Sequence, residues 1–442
     1  PNGPDWLALD LALIAEGAIG VPLYDRLSDE EIAALVADCG ASLVLRAPDL
    51  VELLSQPGPL GEPAPREPTA PVTLVYTSGT SGEPKGAILT DAGLAFVVEA
   101  ASDALARATG GDDAVFHYLP LCFAGSRIVA WTCLARGRPL TLGTDPTKLL
   151  EEVPAAAPTW FLNVPLVLER VRRGVDAALA QRPAPVRGLV ARALRPGPQR
   201  GLSRWLADRL VFSKVRARLG PNLKFLVCGS AALSPETQRW FEGIGIPVLQ
   251  VYGLTETTAI ATMDDPRDAR QGWVGRALPG VELRLVEGEL QVRGPNVFAG
   301  YWNRPEATAA AFDGEWLRTG DQCELDDGRL AVVGRVRDVL VLSSGHNVAP
   351  EPLEAKLAEA PGVEQVVVLG HARPHLVALV VGDAAGIDLE AFNADLPHYR
   401  RIRAVAAIEP LTPESGLLTA NRKLKRRVIA DHYRAVVDAL YG

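Results

Sequence analysis

Ten consecutive residues, Thr77-Ser-Gly-Thr-Ser-Gly-Glu-Pro-Lys-Gly86, limit what this chain can become more than any other stretch. Val72 to Thr77 reads as a strand before them, and Ala92 to Ala106 reads as a helix after them. Glycines let a backbone turn and aim its N–H groups at an anion, and hydroxyls add donors. Lys85 brings a mobile positive charge suited to a polyphosphate. A flexible Gly/Ser linker needs neither a lysine after a proline nor a flanking strand. A Walker A loop does not fit, because it needs four residues between its glycines and a Ser or Thr after its lysine.

The neighbouring sequence keeps the same alternation. Residues 6–18 read as a buried helix, Gly20–Tyr24 as a strand, Ser28–Asp38 as a helix and Ala41–Leu45 as a strand. Ser28 with Glu31 three residues on is a capping pair. Residues 56–71 are a Pro/Gly/Glu connector, and 165–220 hold basic, helix-permissive stretches broken by Pro and Gly, a surface insertion. Residues 281–301 alternate as a hairpin or small barrel does, and 338–442 read as a separate α/β-like segment ending in the basic stretch Asn421–Arg427. There are no internal repeats, and 442 residues are too many for one core.

Charge and cysteine usage exclude other classes. A net charge of -8, with few stacking aromatics in the basic insertion, opposes a nucleic-acid binder. The apolar run Ala8–Pro22 contains Asp10 and Glu16, so it suits neither a membrane span nor a signal peptide. Five scattered cysteines, with no C-x-x-C and no metal spacing to the six histidines, read as reduced thiols of a cytoplasmic protein. The start Pro-Asn-Gly and the single methionine, Met263, predict that an N-terminal piece is missing. Seven lysines against 45 Lys and Arg make any lysine inside a motif informative.

Five further runs follow in order: Gly229-Ser-Ala-Ala-Leu-Ser-Pro-Glu236, Tyr252-Gly-Leu-Thr-Glu-Thr257, Trp316-Leu-Arg-Thr-Gly-Asp321, Gly334-Arg-Val-Arg-Asp338 and Leu418–Arg427. Together with the first loop they resemble the adenylate-forming superfamily of acyl-CoA synthetases, peptide-synthetase adenylation domains and luciferases. That resemblance implies a nucleotide site built from Thr77, Ser78, Gly79, Thr80, Ser81, Gly82 and Lys85, with Gly229, Ser230 and Ala231 alongside. It implies that Tyr252 and Gly253 meet the adenine, that Glu256 binds Mg2+, and that Thr255 or Thr257 approaches the phosphate. Asp321 and Arg335 would take the ribose, and Arg337 would be the hinge. Lys423 would be the mobile lysine of the adenylation step; a register shift to Lys425 is the alternative, because Arg422 stands where the family has glycine.

Arg209-Leu-Val-Phe-Ser-Lys-Val-Arg216, Ser344–Pro350 and Leu417–Arg427 resemble the long-chain fatty acyl-CoA synthetases in particular. Phe123 stands where they often have His, Ser126 where they have Glu, and Leu166 of Val164-Pro-Leu where they have Arg. Phe123, Val164 and Gly253 are the expected acyl pocket, and loss of a polar side chain there favours an apolar acyl group. The expected fold is α/β: a large N-terminal α/β domain with a small β-barrel subdomain (residues 1–337) and a small mobile C-terminal α/β domain (338–442). The expected reaction consumes ATP with Mg2+, makes acyl-AMP from a fatty acid and passes the acyl group to coenzyme A. Transfer to an acyl carrier protein, a catalytically silent ligand-binding relative, and peripheral contact with a membrane are the alternatives kept open.

Overall fold

The computed structural model describes residues 2–55, 61–78, 84–195, 202–412, 414–418 and 424–442. The chain divides into two compact units. The first comprises Pro1–Arg284, Gln291–Thr319 and Leu325–Ala331; the second comprises Leu285–Leu290, Gly320–Glu324 and Val332–Gly442.

In the first unit, strands β1 (Pro71–Ser78) and β2 (Pro84–Thr90) pair antiparallel, with Thr77 opposite Lys85. The residues after the anion loop thus return as a strand before the helix begins, because Ala87-Ile-Leu89 supplies an apolar face that is buried at Ala87 and Leu89. Helix Asp91–Thr109 starts where the Thr90 hydroxyl accepts from the Gly93 N–H at 3.2 Å, and it stops at Gly110 with φ 74°. Ser28 and Glu31 form the expected capping box, with bonds of 2.8 and 3.2 Å, at the start of helix Asp29–Cys39.

Strands β3 (Val115–His117), β4 (Leu140–Leu142), β5 (Trp160–Asn163), β6 (Leu226–Cys228) and β7 (Val248–Tyr252) form a parallel array in the order β4-β3-β5-β6-β7. Both of its faces are covered, so its strands read as continuous apolar runs. Phe116, Phe161, Leu226 and Val248 enter one core, while Val115, Trp160, Val227 and Leu249 enter the other. Strands β8 (Thr262–Met263) and β9 (Arg276–Ala277) extend this sheet antiparallel.

Two expected strands do not form. Gly20–Tyr24 makes only a single parallel bridge, Gly20 to Thr73, and Pro22 has no N–H to continue a ladder. Ala41–Leu45 is irregular, with Leu43 68% exposed, so it has no apolar surface to lie on. The basic insertion is helical as expected: Pro165–Ala180, Ala184–Ala193, Leu202–Ala207, a widened π turn at Asp208–Phe212, and Ser213–Leu219. No helix among the described residues is long and apolar enough to cross a membrane.

The second unit is built on strands Val363–Leu369, Leu376–Gly382 and Ile402–Ile408, with the middle strand antiparallel to the first and parallel to the last. The middle strand sends Leu376, Ala378 and Val380 into one core and Val377, Leu379 and Val381 into another. Glu354 is buried there by accepting from the Val368 N–H at 2.7 Å and from both terminal nitrogens of Arg426.

Candidate functional site

A doubly covered parallel sheet presents its open crevice at the carboxyl ends of its strands. Predicted site residues from four places in the chain lie at that edge. Phe123 comes after β3, Val164 follows β5, Gly229-Ser230-Ala231 follows β6, and Tyr252-Gly253 ends and follows β7. The registers Asn163 opposite Cys228 and Cys228 opposite Gln250 place the last three side by side.

Close approach fixes the glycines. A Cβ on Gly229 would lie 2.8 Å from Val251 Cγ2, while the Gly229 N–H continues the ladder to the Asn163 carbonyl at 3.1 Å. Ser230 then takes φ 72°, which turns the chain out of the sheet. A Cβ on Gly253 would lie 2.2 Å from the Ala259 carbonyl oxygen, so only glycine fits. That contact exists because residues 253–261 fold back in a tight turn, with the Ala261 N–H donating to the Tyr252 carbonyl at 2.8 Å.

The turn contains one 3-10 turn, Thr255–Thr257. The Thr257 side chain is fully buried and is used inside the turn: its oxygen takes the Leu254 N–H at 2.8 Å. Thr255 and Glu256 remain half-buried at the surface of the turn. Of the two threonines, Thr255 is therefore the one whose hydroxyl can face a ligand.

Glu256 is held by Tyr301, which lies outside the motif runs named above. The Tyr301 hydroxyl donates to Glu256 Oε1 at 2.7 Å, and the Lys85 ammonium lies 5.4 Å from the centre of the same ring. Burial, and then the neighbouring Glu256 charge, push the Tyr301 hydroxyl well above its ordinary pKa, so it stays a donor. The geometry is set by backbone: Ala87 bridges Tyr301, the Trp302 N–H donates to the Gly86 carbonyl at 2.8 Å, and the Phe298 N–H donates to the Glu256 carbonyl at 2.9 Å. Three distant runs, around residues 85, 256 and 301, thus meet at one tyrosine. No local sequence signal assigns Tyr301 this role, because its partners Lys85 and Glu256 are distant in the chain.

Among the described residues no cluster of three or more His, Cys, Asp or Glu could hold a metal alone. A single carboxylate, Glu256, fits an Mg2+ that arrives with phosphates and keeps its waters, because that ion rarely has an all-protein cage. On the apolar side, Phe123 starts helix Ala124–Ala135 and stacks on Tyr24, ring centres 6.0 Å apart. Val164 is half-buried before helix Pro165–Ala180. Arg127, one turn on from Phe123, is 1% exposed and makes two bonds to Asp10, at 2.5 and 3.2 Å, and one to Thr73 at 2.6 Å. That buried pair clamps the helix behind Phe123.

In the second unit Asp321 is 3% exposed and pairs with Arg335 Nε at 2.9 Å. The expected ribose residues therefore bind each other directly. Two carboxylate oxygens still leave acceptor capacity for hydroxyls. Glu351, not foreseen from sequence, accepts from the Arg335 N–H at 3.3 Å, and burial pushes its carboxyl upward. Arg337 lies in the 3-10 turn Val336–Asp338. Gly79, Thr80, Ser81, Gly82 and Lys423 lie outside the described residues. On either side of the latter gap, Leu418 and Leu424 form an antiparallel bridge, and the exposed Lys425 caps helix Arg426–His432.

A family model described as AMP-binding enzyme matches residues 1–302, and the AMP-binding enzyme C-terminal domain matches 337–442. The chain is 30% identical, over 517 aligned positions, to the long-chain-fatty-acid–CoA ligase FadD15 of Mycobacterium bovis, covering 99% of this chain and 86% of that one. It is 28% identical to long-chain-fatty-acid–CoA ligase 1 of Cavia porcellus, covering 100% and 77%. Among solved structures, ATP-bound MatB from Rhodopseudomonas palustris superposes with a TM-score of 0.76 at 25% identity, covering 98% and 88%.

Proposed function

The chain belongs to the AMP-binding enzyme family, and from that premise we propose that it is a fatty acid–coenzyme A ligase working through an acyl-adenylate. The observation that carries the reading is the Lys85–Tyr301–Glu256 cluster beside the turn at the end of β7. In the first step a carboxylate oxygen of the fatty acid attacks the α-phosphorus of ATP, and pyrophosphate leaves. In the second the coenzyme A thiol, losing its proton, attacks the acyl carbonyl carbon, and AMP leaves.

Each group has a task in that scheme. Lys85 offsets phosphate charge, and Tyr301 aims the Glu256 carboxylate. Mg2+ bound at Glu256 supplies neutralisation of the nucleotide's charge. Thr255 donates to a phosphate oxygen, Tyr252 packs on the adenine, and Asp321 with Arg335 takes the ribose. Phe123, stacked on Tyr24, gives the acyl side an apolar lining. Lys423 is assigned the adenylation step and Arg337 the pivot between a body ending there and a C-terminal domain from Asp338. A cytoplasmic location with peripheral membrane contact, and coenzyme A in preference to a carrier protein, belong to the same proposal.

The test supplies ATP and Mg2+ with a series of short to long fatty acids and reads pyrophosphate. Release that depends on the acid, is strongest for long acids and continues to thioester on adding coenzyme A is the expected result. Acid-dependent release with transfer only to a phosphopantetheine carrier would support the carrier alternative. No acid-dependent release from folded protein would make the chain a silent relative.

A further inference from the structure

Helix Asp29–Cys39 buries none of its side chains completely, yet the Asp38 side chain in its last turn is only 18% exposed. A carboxylate at that end is opposed by the helix dipole, so its partners must hold it. Its two oxygens are taken by different parts of the chain. Oδ2 accepts from the Tyr76 hydroxyl at 2.6 Å, and Oδ1 takes the Arg304 guanidinium. Burial, and then the bond to Asp38, push the Tyr76 hydroxyl well above its ordinary pKa, so it stays a donor.

Both partners adjoin groups assigned to the nucleotide. Tyr76 lies on β1 directly before Thr77 and opposite Gly86 of β2, which follows Lys85. The Tyr76 ring crosses Gly86 so closely that a Cβ there would lie 3.3 Å from Tyr76 Cζ and 3.6 Å from Trp302 Cβ. Arg304 follows Tyr301 within one turn: Asn303 takes φ 52°, and the Arg304 N–H donates to the Tyr301 carbonyl at 3.2 Å. The bond from the Trp302 N–H to the Gly86 carbonyl already joins this turn to β2, but one line of backbone bonds leaves the two segments able to pivot about it. The Asp38 carboxylate is a second attachment, made through side chains, and two attachments fix an angle.

We propose that Asp38 is a positioning residue for the magnesium-bound nucleotide: its carboxylate clips the hairpin that carries Lys85 to the turn that carries Tyr301, and so holds Lys85 and Glu256 at the spacing a Mg2+-bound triphosphate needs. Asp38 touches no substrate itself. It acts through Tyr76 on the hairpin and through Arg304 on the turn whose Tyr301 hydroxyl holds Glu256. A charge-assisted clip suits this task, because two bonds to one carboxylate restrict direction as well as distance. A small error in the placing of charged groups weakens every contact made by a polyphosphate and its metal together. The inference rests on the nucleotide reading of the site and adds to it a residue far from the loop in sequence.

The test is equilibrium binding, by calorimetry on the full chain without fatty acid, of two probes: α,β-methylene-ATP with Mg2+, and AMP. Asp38→Ala should weaken the magnesium-bound analogue about tenfold and leave AMP, which lacks the outer phosphates, unchanged. Tyr76→Phe, which keeps the ring on Gly86, should weaken the analogue roughly threefold at unchanged Tm. Tyr76→Phe with Arg304→Gln should match Asp38→Ala, and adding Asp38→Ala to that pair should weaken binding no further, because all three break one clip. Unchanged analogue affinity in folded Asp38→Ala and Tyr76→Phe protein, or an equal loss for AMP, would overturn the proposal and leave Asp38 as an anchor for its helix. No analogue binding by the unmutated chain would overturn the nucleotide reading and this proposal with it. Analogue binding that depends on Asp38, without any acid-dependent pyrophosphate release from ATP, would uphold the clip and overturn the ligase reading alone.

Discussion

Tyr301→Phe removes one atom from the site and leaves the ring. The ring keeps its edge contact with Phe298, centres 4.9 Å apart, and its place below Lys85. What disappears is the hydroxyl donating to Glu256 at 2.7 Å. A hydrogen bond to a charged acceptor contributes about 1.5–3 kcal/mol, which corresponds to roughly 10- to 150-fold. Glu256 is half-buried, so water can partly replace the donor and the lower end applies. If Tyr301 aims the carboxylate at Mg2+, the half-saturating Mg2+ concentration for acid-dependent pyrophosphate release should rise roughly tenfold. The KM for the fatty acid and the Tm should change little. The assay is initial-rate pyrophosphate release over an Mg2+ series at saturating acid. Unchanged Mg2+ dependence would refute the positioning role, and a large fall in Tm would make Tyr301 a packing residue.

Glu256→Gln should stop adenylation in protein of normal Tm, costing roughly 10²-fold or more in pyrophosphate release; near-normal release would remove its assignment. Phe123→His should lower kcat/KM for long acids more than for short ones, and equal losses would show that Phe123 does not read the chain. Lys423→Ala should slow acyl-AMP formation about 10²-fold while leaving thioester formation from preformed acyl-adenylate near normal in single-turnover assays; the same pattern from Lys425→Ala alone would move the register by two residues. Burial pushes the Asp264 carboxyl up to about 7 although the Gln250 N–H pulls the other way. The folded chain then keeps a proton that the unfolded chain loses near pH 4, so this stabilisation, up to about 4 kcal/mol, is full below that pH and lost as pH rises through about 7. Asp264→Asn should flatten the fall of Tm across that window, and an unchanged slope would contradict the assignment.

The parts of the fold that sequence made legible are those carried by local rules. Ser28 with Glu31 is a complete cap within four residues, and the strand expected at Val72–Thr77 and the helix expected at Ala92–Ala106 both form around the loop. The strands expected at Gly20–Tyr24 and Ala41–Leu45 had the composition but no partner, and pairing is decided by distant residues such as Thr73. The candidate site shows the same division. Gly229 and Gly253 were legible as motif glycines, and the steric reasons emerge only when Val251 and Ala259 are seen opposite them. The tie between Lys85, Glu256 and Tyr301 spans more than two hundred residues of chain, and no local pattern encodes it. The Asp321–Arg335 pair was foreseen as two ligand contacts, yet the two side chains are close enough to bind each other.

The central claim is an acyl-adenylate on the path to a thioester, and a single turnover tests it most directly. Excess protein, labelled long-chain fatty acid, ATP and Mg2+ are mixed without coenzyme A, quenched and separated, and coenzyme A is added to a parallel sample before quenching. The account predicts acyl-AMP with one pyrophosphate per label in the first sample, and conversion to acyl-coenzyme A with equal AMP in the second. ADP and phosphate in place of AMP and pyrophosphate, or thioester formed without any adenylate, would contradict it.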